Sequence, residues 1–138
     1  MRKVVVTSVV VVIFIVALSM TTMFTESGKV PEVITKQVYM GNKSDEECCK
    51  LAAKKAEIIM KMRQNGVSKS KLLDFVNDEM KWEPEKKFLV GMINSAYKKP
   101  LVETSEERRK VITDYKYYYY DLFRDTIEIR QDMNQLQE

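Results

Sequence analysis

From Ser105 to Glu138 the chain contains neither glycine nor proline, and its apolar residues keep a regular beat. Ile112, Tyr115, Tyr119, Leu122, Thr126, Ile129, Met133 and Leu136 step alternately by three and four. That is the a/d pattern of a heptad seam, with Thr126 as its one polar member. Thr104 and Glu107 stand at capping-box spacing just before it. The spacing predicts one helix over 105–137, roughly 50 Å long at 1.5 Å per residue. A compact domain of about 95 residues cannot cover a helix of that length, so its last four turns are expected to project.

The remaining punctuation fits shorter helices. The whole chain holds only four glycines and three prolines, which disfavours many short strands. Ser44 and Glu47 form a capping box, acidic Asp45, Glu46 and Glu47 suit a helix N-terminus, and Gly66 is a stop. Cys49, Ala52, Ala53, Ala56, Ile59 and Met60 share one face of that helix. Ser68 caps a second helix with Leu72, Leu73, Val76 and Met80 on its apolar side, Phe75 beside them. Pro84 opens a third, whose Phe88, Leu89, Met92, Ile93, Ala96 and Tyr97 recur at helical spacing until Lys98, Lys99 and Pro100 end it. Ile59, Leu73, Phe88, Ile93 and Tyr115 are expected to meet in one core. The fold class is therefore all-α: a small four-helix domain over 44–138 with a long C-terminal helix.

The N-terminus has a different character. Arg2 and Lys3 precede an apolar run from Val4 to Phe24. Positive charge before such a run keeps the N-terminus in the cytoplasm and sends the rest across. The run is apolar on every face, which argues against a buried core helix, and its length suits a single span. We read residues 1–24 as a retained signal-anchor in the inner membrane. Cleavage near Ala17-Leu18-Ser19, which would release the protein into the periplasm, stays open. Either way the domain is expected outside the cytoplasm. Residues 25–43, with Gly28, Pro31 and Gly41, read as a linker, within which "EVITKQVYM" could form a short strand.

Little in the composition points to catalysis. There is no histidine, which removes the usual general base and the commonest metal ligand. Cys48 and Cys49 are the only thiols, with no C-x-x-C spacing for a metal. Neighbouring helical cysteines point about 100° apart and do not readily bridge each other. Cys49 falls on the apolar face as a small core residue, whereas Cys48, at its edge, could serve an intermolecular disulfide. The net charge is +3, of which Arg2 and Lys3 supply two. The remaining charges alternate in sign along the helices, so a nucleic-acid surface is not indicated. No cofactor is expected. The tyrosine run Tyr117–Tyr120 cannot lie on one helix face. Tyr119 belongs to the seam, while Tyr117 and Tyr120 point elsewhere and are candidate interface anchors. Tyr117, Tyr119, Tyr120, Leu122, Ile129 and Met133 are thus the candidate interaction residues, for a partner or for a second copy of the chain.

The stretches "MKMRQNGVSKSKLL" (Met60 to Leu73) and "SAYKKPLVETSEERRKVITDY" (Ser95 to Tyr115) carry a resemblance. They are similar to motifs of a family of small exported helical proteins found in tailed bacteriophages and their enterobacterial hosts. The likeness covers residues 49–123 and implies an exported, all-helical protein without assigned activity. It also implies a disulfide between the first and last helices. Here, however, the position of the late cysteine is Phe123, so that bridge cannot form. The tail from Arg124 onward extends past the usual end of the family.

Together these features lead us to expect a non-enzymatic interaction protein at the host envelope. It would bind an envelope protein and modulate infection or lysis. A spanin-like inner-membrane lysis subunit and a cell-wall-acting enzyme are the alternatives.

Overall fold

The computed structural model describes residues 30–36, 38 and 43–136. These form a 3-10 turn at Glu32–Ile34 and four helices: α1 (Asp45–Gln64), α2 (Lys69–Glu79), α3 (Glu83–Tyr97) and α4 (Ser105–Gln135). The all-α expectation holds for the described residues, and the segment that might have been a strand opens as the 3-10 turn. The apolar run Val4–Phe24 lies outside the described residues. Among the described helices, none is long and apolar enough to cross a membrane.

The helix ends follow the local chemistry. Ser44 Oγ accepts from the Glu47 amide at 3.3 Å, and Glu47 Oε2 accepts from the Ser44 amide at 2.8 Å, which closes the capping box. Thr104 Oγ1 accepts from the Glu107 amide at 3.2 Å. Gly66 takes φ +79°, a left-handed conformation that glycine adopts without steric cost.

α1 and α4 run antiparallel and form the most extensive contact, while α2 packs on α3 and α3 on α1. Lys116 meets Glu57 at 3.2 Å, and farther along Gln131 Nε2 donates to Asp45 Oδ2 at 2.7 Å. α1 therefore accompanies α4 as far as Gln131, and only the last turn outruns it. The expectation of four projecting turns is corrected: an antiparallel partner covers a long helix far better than a compact domain would.

The main core gathers Ile34, Ile59, Met60, Leu72, Leu89, Met92, Ile93 and Tyr115. Ile59, Ile93 and Tyr115 are buried as expected, whereas Leu73 and Phe88 pack against the cluster only partly covered. A second cluster holds Val38, Cys48, Cys49, Ala52, Phe123 and Ile127. Phe88 touches both, its ring edge-on to Tyr119 at 6.0 Å and to Phe123 at 5.0 Å.

Two sequence readings change here. Ile34 and Val38 are fully buried, so the described part of the 25–43 segment belongs to the domain instead of serving as a free linker. On α4, the buried stripe runs Tyr115, Tyr119, Phe123, Ile127, in steps of four. The heptad seam leaves the core after Tyr119. Leu122, Ile129, Met133 and Leu136 are exposed.

Candidate interaction site

The tyrosine run distributes itself over three sides of α4. Tyr115 is buried and donates to the Met92 carbonyl at 2.5 Å. Burial pushes its phenol well above the usual tyrosine range. Tyr119 is also buried, edge-on to Tyr115 at 5.0 Å and to Tyr118 at 5.2 Å. It is a core residue, and its candidacy as a surface anchor is withdrawn: its position a turn after Tyr115 turns it into the bundle. Tyr117 is 58 % exposed. Tyr120 is half-covered and donates to Glu46 Oε2 at 2.7 Å, which ties α4 to the start of α1. This bond and the neighbouring Lys50 hold Glu46 below its ordinary range, and the same bond raises the Tyr120 phenol.

Tyr117 and Tyr120 form one wall of a groove of about 250 Å³ between α1 and α4, completed by Lys50, Ala53, Lys54 and Lys116. Its charges are shared unevenly. Lys50 reaches Glu46 at 3.1 Å, while Lys54, Lys61 and Lys116 all reach Glu57, at 3.5, 2.5 and 3.2 Å. The three lysines that line the groove face two carboxylates, Glu46 and Glu57, which leaves an excess of one positive charge there. The lysine cluster, led by Lys61, pulls the Glu57 carboxyl down to about 2. Aromatic rings beside surplus positive charge suit a segment with carboxylates and an apolar side chain. The lysines escaped the sequence reading because they lie two helices apart in the chain. Only the antiparallel pairing of α1 and α4 brings Lys50 and Lys54 beside Lys116.

On another side of α4 a shallow cavity of about 390 Å³ is lined by Met60, Ser95, Lys99, Val111, Asp114, Tyr115 and Tyr118. Asp114 there is engaged by Lys110 at 2.6 Å. Comparison with protein-family models, with curated proteins and with solved structures finds no match to the chain. The surface must therefore be read from its own chemistry.

Neither thiol faces outward. Cys48 is 8 % exposed and donates to the Val38 carbonyl at 3.1 Å, and Cys49 is buried beside it. Burial raises both thiols above their ordinary range, which keeps them protonated. The intermolecular bridge expected of Cys48 does not fit this placement, since the sulfur points into the second cluster. Phe123 lies in that same cluster, its ring edge-on to Phe88. Among the described residues, no three acidic or cysteine side chains converge as metal ligands. Of the candidate anchors, Leu122, Ile129 and Met133 are exposed on the side of α4 away from the groove.

An ion pair lies inside the bundle. Lys55 Nζ meets Glu85 Oε1 at 2.5 Å, both side chains being essentially inaccessible. The Val38 amide donates to both Glu85 oxygens, at 3.1 and 3.0 Å. Burial lowers the Lys55 ammonium below the usual lysine range, although Glu85 opposes the effect.

The quoted motifs prove to touch each other. Gln64 Nε2 donates to the Pro100 carbonyl at 2.9 Å while its Oε1 accepts from the Val102 amide at 3.1 Å. Arg63 stacks on the Tyr97 ring at 5.0 Å and donates to the Lys99 carbonyl at 3.2 Å. The Tyr97 hydroxyl donates to the Val67 carbonyl. Arg-Gln at the end of α1 and Tyr-x-x-Pro at the end of α3 therefore form one joint between two helix ends. Their role is structural.

Proposed function

We propose that the protein is a non-enzymatic interaction protein of the cell envelope. In this reading it grips an acidic, partly apolar segment of an envelope protein in the groove of Tyr117, Tyr120, Lys50, Lys54 and Lys116, and so modulates phage infection or lysis. The observation that carries the reading is the groove itself, an exposed tyrosine wall facing surplus positive charge. Arg2, Lys3 and the apolar run Val4–Phe24 support attachment to the inner membrane with the domain in the periplasm. The spanin-like alternative draws less support, because the helices fold back on one another where a membrane-bridging subunit needs a rod. A wall-acting enzyme draws less still, with no acid–base pair assembled in the groove.

A photo-crosslinking residue at Tyr117 in the full chain, expressed in host cells, tests the proposal. It should trap one predominant envelope protein. Lys116→Glu and Lys50→Glu should each lower the yield several-fold, and added salt should do the same. Capture that ignores both charge reversals would overturn the reading.

A further inference from the structure

We propose that two copies of the chain pair side by side and in parallel along the distal half of α4. The stripe is Leu122, Thr126, Ile129, Met133 and Leu136, and Asp125 of each copy faces Arg130 of the other.

The stripe is a heptad seam that the domain does not use. Ile129 is 60 % exposed, and Leu122, Met133 and Leu136 lie open beside it. Its direction is roughly a quarter turn of helix away from the buried stripe Tyr115, Tyr119, Phe123, Ile127, at 3.6 residues per turn. α1 therefore occupies one side of α4 and leaves the seam clear. Thr126, the one polar member, donates its hydroxyl to the Leu122 carbonyl of its own helix at 2.7 Å. Its polar atom is already satisfied, and its methyl can be covered without cost in hydrogen bonding.

Charge selects the occupant and its orientation. With Tyr119, Thr126 and Met133 at a and Leu122, Ile129 and Leu136 at d, Asp125 and Asp132 fall at g and Arg130 at e. In a parallel two-stranded coil a g residue faces the e residue of the following heptad on the other helix. Asp125 then meets Arg130, twice by symmetry. An antiparallel pair would instead bring g against g, aspartate against aspartate. Both side chains are exposed; Asp125 meets Arg124 of its own helix at 3.6 Å, a surface contact that pairing would exchange for Arg130 of the second copy. The seam is short, so the pairing belongs with small, transient interfaces, with a midpoint on the order of 10–100 µM. It uses none of the groove residues, so the dimer and the capture of an acidic segment can fail independently.

Sedimentation equilibrium of the full chain in density-matched mild detergent provides the test. A concentration-dependent dimer is expected. Ile129→Asp should weaken it at least tenfold, and Leu136→Asp should weaken it too. Both positions are exposed, so the thermal melt of the dilute variant should stay that of the wild type. Asp125→Arg and Arg130→Asp should each weaken the dimer, and the double swap should restore it. Lys116→Glu, in the groove, should leave it unchanged. The proposal is overturned by a chain that stays monomeric to several hundred micromolar. It is equally overturned by a dimer indifferent to Ile129→Asp, or by one that Asp125→Arg strengthens, which is the antiparallel signature.

Discussion

Lys55 and Glu85 carry the most consequential single contact in the bundle. Each would be costly to bury alone, and the pair is tolerable because Glu85 also receives the Val38 amide on both oxygens. Glu85→Ala should therefore destabilise the protein by ~3–5 kcal/mol, because an uncompensated ammonium stays behind. Lys55→Met combined with Glu85→Gln should recover much of that loss, since no charge is then buried and an acceptor for Val38 remains. Urea unfolding of the three proteins would decide; a loss below ~1 kcal/mol for Glu85→Ala would mean that water reaches the pair. The sequence held a faint trace of this contact. Lys55 sits between Ala52 and Ile59 on the apolar side of α1, and Glu85 lies one turn before Leu89 on that of α3. Charge normally marks the solvated face, and nothing local says that two charges thirty residues apart will cancel.

At the scale of elements, the joint between the ends of α1 and α3 depends on one amide side chain. Gln64 serves a carbonyl and an amide of the Pro100–Val102 turn at once. Gln64→Ala leaves both without that partner and should cost ~2–4 kcal/mol, with faster hydrogen exchange concentrated at Val102. Uniform exchange across the bundle would show that the turn is held by other contacts. Helix starts and stops were legible in advance because caps, the Gly66 turn and the prolines act within a few residues. The course of the α4 seam was legible only to Tyr119. Beyond it two stripes compete on the same helix, one spaced by four and one by alternating three and four. Phe123 and Ile127 won the place against α1 because small Cys49 and Ala52 leave room for them. That choice belongs to the partner helix and is not written in α4 alone. The groove was half legible: Tyr117 and Tyr120 could be singled out by their angles, but their lysine neighbours required the pairing of helices.

For the molecule as a whole, acid stability should reflect Glu57, which meets Lys54 and Lys61 on its own helix and Lys116 across on α4. Glu57 ionises at about 2 in the fold against an ordinary 4.5. A depressed carboxyl contributes stability that is complete above its unfolded value and disappears as pH falls through its folded value. Stability should thus decline between pH 4.5 and 2, by roughly 1–2 kcal/mol once the half-exposed lysines are allowed for. Glu57→Gln should flatten that part of the acid limb in thermal melts taken across this range. An unchanged slope would assign the loss to other carboxylates. The way the domain begins has a mechanical corollary. Ile34 and Val38 enter the two core clusters before α1 starts, and Val38 is fastened from both sides, by Glu85 at its amide and by Cys48 at its carbonyl. A pull on the N-terminal end of the chain reaches the bundle at these two plugs and not at the Ser44 cap. The first rupture under load would peel away residues 30–38 and wet the Lys55–Glu85 pair, while the antiparallel α1–α4 pair, loaded afterwards, still holds. A domain hung from its N-terminus would in this way carry a mechanical fuse upstream of its helices.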